Sequence, residues 1–194
     1  FSFFLLGPRQ TGKTTTLTKI FAPLDHLALN LMETRERLKY ERDPSLLGQE
    51  VSASGKSHIF IDEIQKVPSV LDDVQVIIDR DKKIFAMTGS SARKLRRKDV
   101  NLLPGRALQF RMDPLVYPEY EDTLKITNLA ELKRVLKYGE LPGVLTFVAD
   151  SREKLAGEIL SAYAEAYLEE EVRAEALVRN LGAFAKFLKM AAEA

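Results

Sequence analysis

The sequence predicts an α/β protein: a parallel sheet with helices on both faces, followed by a helical segment. Three observations predict it. Short apolar runs alternate with stretches of helical periodicity; the first run leads straight into the pattern G-x-x-x-x-G-K-[ST]; and the run at 58–62 ends in two adjacent carboxylates.

The first strand is Phe3-Phe4-Leu5-Leu6, and it enters Gly7-Pro8-Arg9-Gln10-Thr11-Gly12-Lys13-Thr14. Glycines at both ends let such a loop wrap without Cβ clashes, so that successive backbone N–H groups point inward and form an anion nest. A helix is expected over 12–21. Lys13 at its start can reach the outer phosphates of a nucleoside triphosphate, where the helix dipole also favours negative charge. Thr14 offers a hydroxyl to magnesium. The candidate nucleotide contacts are therefore Gly7, Pro8, Arg9, Gln10, Thr11, Gly12, Lys13, Thr14 and Thr15.

A strand at 26–30 and a polar helical stretch at 33–49 come next. His58-Ile59-Phe60-Ile61-Asp62-Glu63 then reads as a buried parallel strand with acids at its C-terminal edge, the edge at which open α/β sheets bind ligands. Asp62 is the candidate magnesium ligand, directly or through water. Glu63 points toward the γ-phosphate, where it can polarise an attacking water. That second acid favours hydrolysis over phosphoryl transfer to a small molecule. The arrangement requires the turn around Lys13 and the tip at Asp62 and Glu63 to face one another across neighbouring strands.

A third helix is expected over 69–80, with Ser69 as its cap. Val70, Val74, Ile77 and Ile78 form its buried face, while Asp72, Asp73 and Asp79 face water. The strand at 84–88 leads into Thr88-Gly89-Ser90-Ser91 at the same edge. Two readings stand for these hydroxyls: Ser90 or Thr88 senses the γ-phosphate or the attacking water, or a hydroxyl caps a helix beginning near Ser91. Arg93-Lys94-Leu95-Arg96-Arg97-Lys98 carries five basic residues in six. It either contacts nucleic-acid phosphates or is solvated surface, and no aromatic residue interleaves for base stacking. Arg106 leads into a strand at 106–111 and is the candidate arginine finger for a neighbouring subunit, the alternative being a salt bridge to one of the many acids.

Asp113-Pro114 and Tyr117-Pro118 break the chain and close this part near residue 120. Downstream, Asn128 caps a helix with Glu131 three residues on and Gly139 as its stop; Asp150 with Glu153 opens a longer one. Leu155, Ile159, Tyr163 and Tyr167 form a stripe on that longer helix, read as core packing.

Composition narrows the class. A 45% hydrophobic share over 194 residues is enough for a sizeable core, and a formal charge of +1 gives no whole-chain bias toward nucleic acid or anionic membrane. Cysteine is absent, which removes disulfide scaffolds, thiol catalysis and Cys-based zinc sites; His26 and His58 are too few for a metal cluster. No apolar run approaches the roughly 20 residues that cross a bilayer, and no leader-like segment is visible, so the expectation is a soluble, cytoplasmic protein. Phe1 falls at the first strand and Ala194 within an apolar helical pattern that includes Phe184, Phe187, Leu188 and Ala191, so a fragment is expected.

Taken together, residues 6–14, 61–68, 88–95, 103–106 and Pro114-Leu115 make the chain resemble the prokaryotic AAA-like P-loop ATPases whose C-terminal domain has no assigned function. The resemblance implies ATP with Mg2+, and a five-stranded parallel core in which an extra strand separates the two nucleotide motifs. It also implies oligomers or switches in which ATP changes domain arrangement. It divides the chain into an ATPase core at 1–120, a helical extension at 121–177 and, from about Val178, the start of a C-terminal domain of winged-helix and nuclease-like character at 178–194. Gln75 stands where such proteins often carry a histidine. Three functions follow from the reading: an ATPase, a DNA-dependent motor or switch acting through the 93–98 cluster or the missing C-terminal domain, and a nucleotide-bound interaction module.

Overall fold

The computed structural model describes residues 1–90, 95, 102–167 and 180–193. Two compact units divide at Asp113–Pro114.

The first unit is a parallel five-stranded sheet in the order β2-β3-β4-β1-β5. Its strands are β1 (Ser2–Leu6), β2 (His26–Asn30), β3 (His58–Asp62), β4 (Ile84–Gly89) and β5 (Ala107–Arg111). Helix α1 (Lys13–Phe21) joins β1 to β2, and α2 (Thr34–Arg42) with α3 (Leu46–Ser54) joins β2 to β3. A short 3₁₀ turn (Ile64–Lys66) and α4 (Val70–Asp81) join β3 to β4.

Strand alternation assigns the faces. Phe4, Leu6, Ile59, Ile61, Phe85 and Met87 point to one side, where they pack with Tyr40, Leu47 and Val51 and with Val70, Leu71, Val74 and Ile77. Their neighbours Phe3, Leu5, Phe60 and Ala86 point to the other, under Leu17 and Phe21 of α1. Among the described residues, α1 covers one face, and α2, α3 and α4 cover the other together with Leu95. The buried runs were readable because strands covered on both faces are apolar throughout.

Three local expectations need correction. The polar stretch at 33–49 is two helices, because Pro44 excludes Asp43 from the helical region and Asp43 sits extended at φ −148°. Asp43 Oδ1 then accepts from the Ser45 backbone N–H at 3.1 Å and from its hydroxyl at 2.6 Å, starting the next helix. Ser69 stands at the start of α4 but its side chain caps nothing; the first-turn N–H groups of Val70 and Leu71 donate instead to the carbonyls of Val67 and Pro68. Asp73, read as facing water, is half-buried, and burial together with Asp72 and Asp43 raises its carboxyl above the ordinary value.

The second unit contains α5 (Tyr117–Leu124), α6 (Leu129–Tyr138), α7 (Pro142–Ala149), α8 (Glu153–Tyr167) and α9 (Leu181–Glu193) among its described residues. Asn128 caps α6 as its position suggests: its Oδ1 accepts from the Glu131 N–H at 3.0 Å, and Gly139 ends the helix at φ 73°. One cluster joins Tyr120, Val135 and Leu145; another joins Leu141, Val144, Val148 and Ala156. The packed face of α8 is Ala156, Ile159, Leu160 and Tyr163, while Tyr167 stays exposed and stacks on Tyr163. No helix among the described residues is long and apolar enough to cross a membrane.

Candidate functional site

The site grows from the register of two strands. β3 and β4 pair with Phe60 opposite Ala86 and Ile61 opposite Met87, so one step further sets Asp62 beside Thr88 on the α1 face. The Thr88 hydroxyl donates to Asp62 Oδ1 and accepts the Glu63 backbone N–H at 2.9 Å. From the helix side, Thr14 Oγ1 lies 2.9 Å from Asp62 Oδ1 and 3.1 Å from Oδ2. One carboxylate, only 7% exposed, thus ties the first turn of α1 to the tips of β3 and β4. The two tips do not lie on neighbouring strands: β4 runs between β1 and β3, and its Thr88 bridges the gap.

The loop after β1 is held from several sides. Gly7 N–H donates to the Gly89 carbonyl at 3.2 Å, and Met112 N–H to the Leu6 carbonyl at 2.7 Å. The chain leaving β5 passes so near that a Cβ on Gly7 would lie 1.9 Å from the Met112 carbonyl oxygen, which only glycine allows. Gly12 takes φ 95° and Gln10 φ 63°, the second without glycine's freedom. Lys13 is 5% exposed, and its ammonium donates to the carbonyls of Gly7 at 2.9 Å and Pro8 at 2.6 Å; the Thr11 hydroxyl also donates to Pro8 at 3.0 Å.

Helix α1 begins with neither a side-chain cap nor an acid in its first turn. Its leading N–H groups have no intrahelical partner, and with the positive end of its dipole they suit an anion. The donor set therefore fits a polyphosphate at the loop, and the Thr14 hydroxyl with the Asp62 carboxylate fits a hard divalent cation beside it. A cavity of about 460 Å³ opens on the β2 side of this pair, lined by Asn30, Glu33, Glu36, Glu50, Thr18 and Phe60 as well as Thr14 and Asp62. Its carboxylates repel phosphate oxygens, so the phosphates belong on the loop side.

On that wall Lys39 bridges Glu36 at 3.0 Å and Glu50 at 2.5 Å, and the Tyr40 hydroxyl donates to Glu50 at 2.6 Å. Burial would raise the Glu50 carboxyl, but the bonds from Lys39 and Tyr40 outweigh it and hold the group below its ordinary value. Burial, then the bond to Glu50, raises the Tyr40 hydroxyl above its ordinary value.

Glu63 leaves β3 in the left-handed region at φ 60°, ψ 48°. For a residue with a side chain this costs about 1–2 kcal/mol, offset here by the bond from its N–H to Thr88. The Gln65 amide nitrogen donates to Glu63 Oε2. Two buried oxygens, Gln65 Oε1 and Ser90 Oγ, have no hydrogen-bond partner among the described residues. Each such orphan costs about 1–3 kcal/mol and calls for an explanation.

The structure thus brings together Gly7, Lys13, Thr14, Asp62, Glu63 and the β4 tip carrying Ser90. It does not bring Arg106 to them. Arg106 precedes β5, whose first residue pairs with Ser2, so it lies at the opposite sheet edge from the loop. Its guanidinium donates to Asp79 Oδ1 at 2.7 Å and Oδ2 at 2.9 Å, and that bond holds the Asp79 carboxyl below its ordinary value. Of the 93–98 cluster only Leu95 is described, so its basic residues lie outside the described residues. Gln65 joins the site without having been a sequence candidate; its signal was its place two residues after Glu63.

A parallel sheet of this order, with an anion-directed loop after β1 and a carboxylate at the tip of β3 one strand away, defines the P-loop NTPase fold with an additional strand. Residues 2–121 match the AAA domain family, and the chain belongs to it, an ATP-binding domain of the ATPase class. Among solved structures, a Walker-type ATPase of Pyrococcus abyssi is similar over 89% of this chain and 71% of its own, with a TM-score of 0.62 at 16% identity, which shows a shared fold. A structure of Drosophila ORC bound to DNA is similar over 98% of this chain and 61% of its own, with a TM-score of 0.44 at 15% identity. No curated protein matches the sequence.

Proposed function

We propose that this chain binds ATP with Mg2+ and hydrolyses the β–γ phosphoanhydride, its nucleotide state driving a conformational change. The observation that carries the reading is the meeting of Thr14 and Asp62 at the uncapped start of α1, beside buried Lys13. Residues 7–15 bind the phosphates through loop amides and the Lys13 ammonium, and Thr14 and Asp62 hold the cation. When bound, the cation offsets charge on the phosphate oxygens. Glu63 accepts a proton from the attacking water, and the Ser90 hydroxyl, buried without a partner among the described residues, senses the γ-phosphate. In an oligomer, Arg106 exchanges its bond to Asp79 for the γ-phosphate of a neighbouring subunit.

The test is phosphate release from ATP, with binding measured in parallel, for wild type, Lys13→Ala and Glu63→Gln. Lys13→Ala loses binding. Glu63→Gln binds ATP and fails to split it, by about 100-fold or more. Equal turnover in all three proteins rejects the assignment.

A further inference from the structure

We propose that Gln65 is the positioning residue for Glu63: its amide N–H fixes one carboxylate oxygen and leaves the other to accept the proton of water. The inference rests on the reading of Glu63 as the group that polarises water. Glu63 has an anchored backbone, with its N–H on the Thr88 hydroxyl and its φ in the left-handed region. That anchor says nothing of where a flexible side chain points. The contact that does is the bond from Gln65 Nε2 to Glu63 Oε2.

The orientation of that amide follows from chemistry, since only its nitrogen can face a carboxylate. The amide oxygen must then point away, and it does so at a cost: among the described residues it is buried without a hydrogen bond. It lies against the bare backbone of Gly89, where an added Cβ would come within 2.9 Å of Gln65 Oε1 and 3.1 Å of Leu6 Cδ2. A residue whose task was to fill this space would be apolar and leave no orphan oxygen. The fold instead keeps a glutamine over a glycine, and what distinguishes that pair from an apolar filling is the N–H delivered to Glu63. Ile64 between them is fully buried in the core and heads the 3₁₀ turn, so the spacing between carboxylate and amide is set by core packing. Gln65 touches no phosphate in this scheme and acts through Glu63.

The experiment compares wild type, Gln65→Leu, Glu63→Gln and the double variant of the whole chain, measuring kcat and KM for ATP hydrolysis and the Kd of a non-hydrolysable ATP analogue. Misplacing a reacting group by about 1 Å costs on the order of 100-fold, so Gln65→Leu is expected to lose about 10- to 100-fold in kcat with KM and Kd unchanged within about twofold. The double variant is expected to be no slower than Glu63→Gln alone, because Gln65 has no carboxylate left to position. If Gln65→Leu does not fold, Gln65→Glu takes its place: it should lose as much at pH 8, where two carboxylates repel, and recover part of the loss toward pH 6 relative to wild type. A Gln65→Leu enzyme within twofold of wild-type kcat, while Glu63→Gln is impaired, overturns the proposal and leaves the role of Glu63 intact. So do multiplicative losses in the double variant, or a Gln65→Glu profile parallel to wild type. Wild-type turnover by Glu63→Gln itself overturns both readings.

Discussion

Replacing Thr88 by valine isolates the hydroxyl that joins the two strand tips. The side chain is fully buried, and valine keeps its volume while removing one donor to Asp62 and the acceptor for the Glu63 N–H. A buried donor left unmade costs about 1–3 kcal/mol. The lost charge-assisted bond to Asp62 adds to this only in part, since Thr14 still approaches both carboxylate oxygens at 2.9 and 3.1 Å. The sum is about 2–4 kcal/mol. At a urea m-value of about 2 kcal/mol/M the unfolding midpoint falls by about 1–2 M. Thr88→Ser is the control: it keeps the hydroxyl and deletes one buried methyl, at about 1 kcal/mol. Urea unfolding followed by circular dichroism should rank wild type above Thr88→Ser and Thr88→Ser above Thr88→Val. The reverse order of the two variants would mean that packing, not the hydroxyl, holds the site together.

Alkaline stability depends on Tyr40, whose raised folded value means its contribution is fully present below its ordinary value of 10.0 and is lost as pH rises through the folded one. Thermal midpoints should therefore fall above pH 10 in wild type and fall less in Tyr40→Phe, with a residual slope from Tyr120, pushed up to about 12 by burial and its bond to Glu140; identical slopes in both proteins contradict the assignment. Two glycines should respond to alanine in opposite ways. Gly7→Ala drives a Cβ to 1.9 Å from a backbone oxygen and should cost about 3 kcal/mol or more, whereas Gly48→Ala meets open space inside α3 and should gain about 0.5–1 kcal/mol. Denaturant midpoints check both, and a tolerated Gly7→Ala would refute the close approach of Met112 to the loop.

How much of this was legible depends on the range of the interaction. Strands β1, β3 and β4 could be read because their apolar runs are short and largely buried on both faces; the loop could be read because its glycines and Lys13 carry a local geometric requirement. The break at Pro44 was equally local and was passed over in favour of the polar helical pattern around it. Strand order is a different matter. Nothing in the residues of β1 and β3 says that β4 lies between them, so the facing tips were expected on neighbouring strands, and only the family resemblance implied the insertion. Thr88 and Arg106 show the same limit, since their partners Asp62 and Asp79 lie on other segments and are set by strand register and by the placing of α4 beside the start of β5. Gln65 differs, because its partner Glu63 lies two residues away in the same turn.

The central claim is that the 7–14 loop and the Asp62 tip form one site for a triphosphate and its cation. Ligand-induced stabilisation measures this most directly: at about 100 times Kd, Mg2+ with ATP should raise the unfolding free energy by about 2.7 kcal/mol. The account predicts that shift in wild type, its loss in Lys13→Ala, and in Asp62→Asn a shift that no longer depends on magnesium. An equal, magnesium-dependent shift in all three proteins would contradict it.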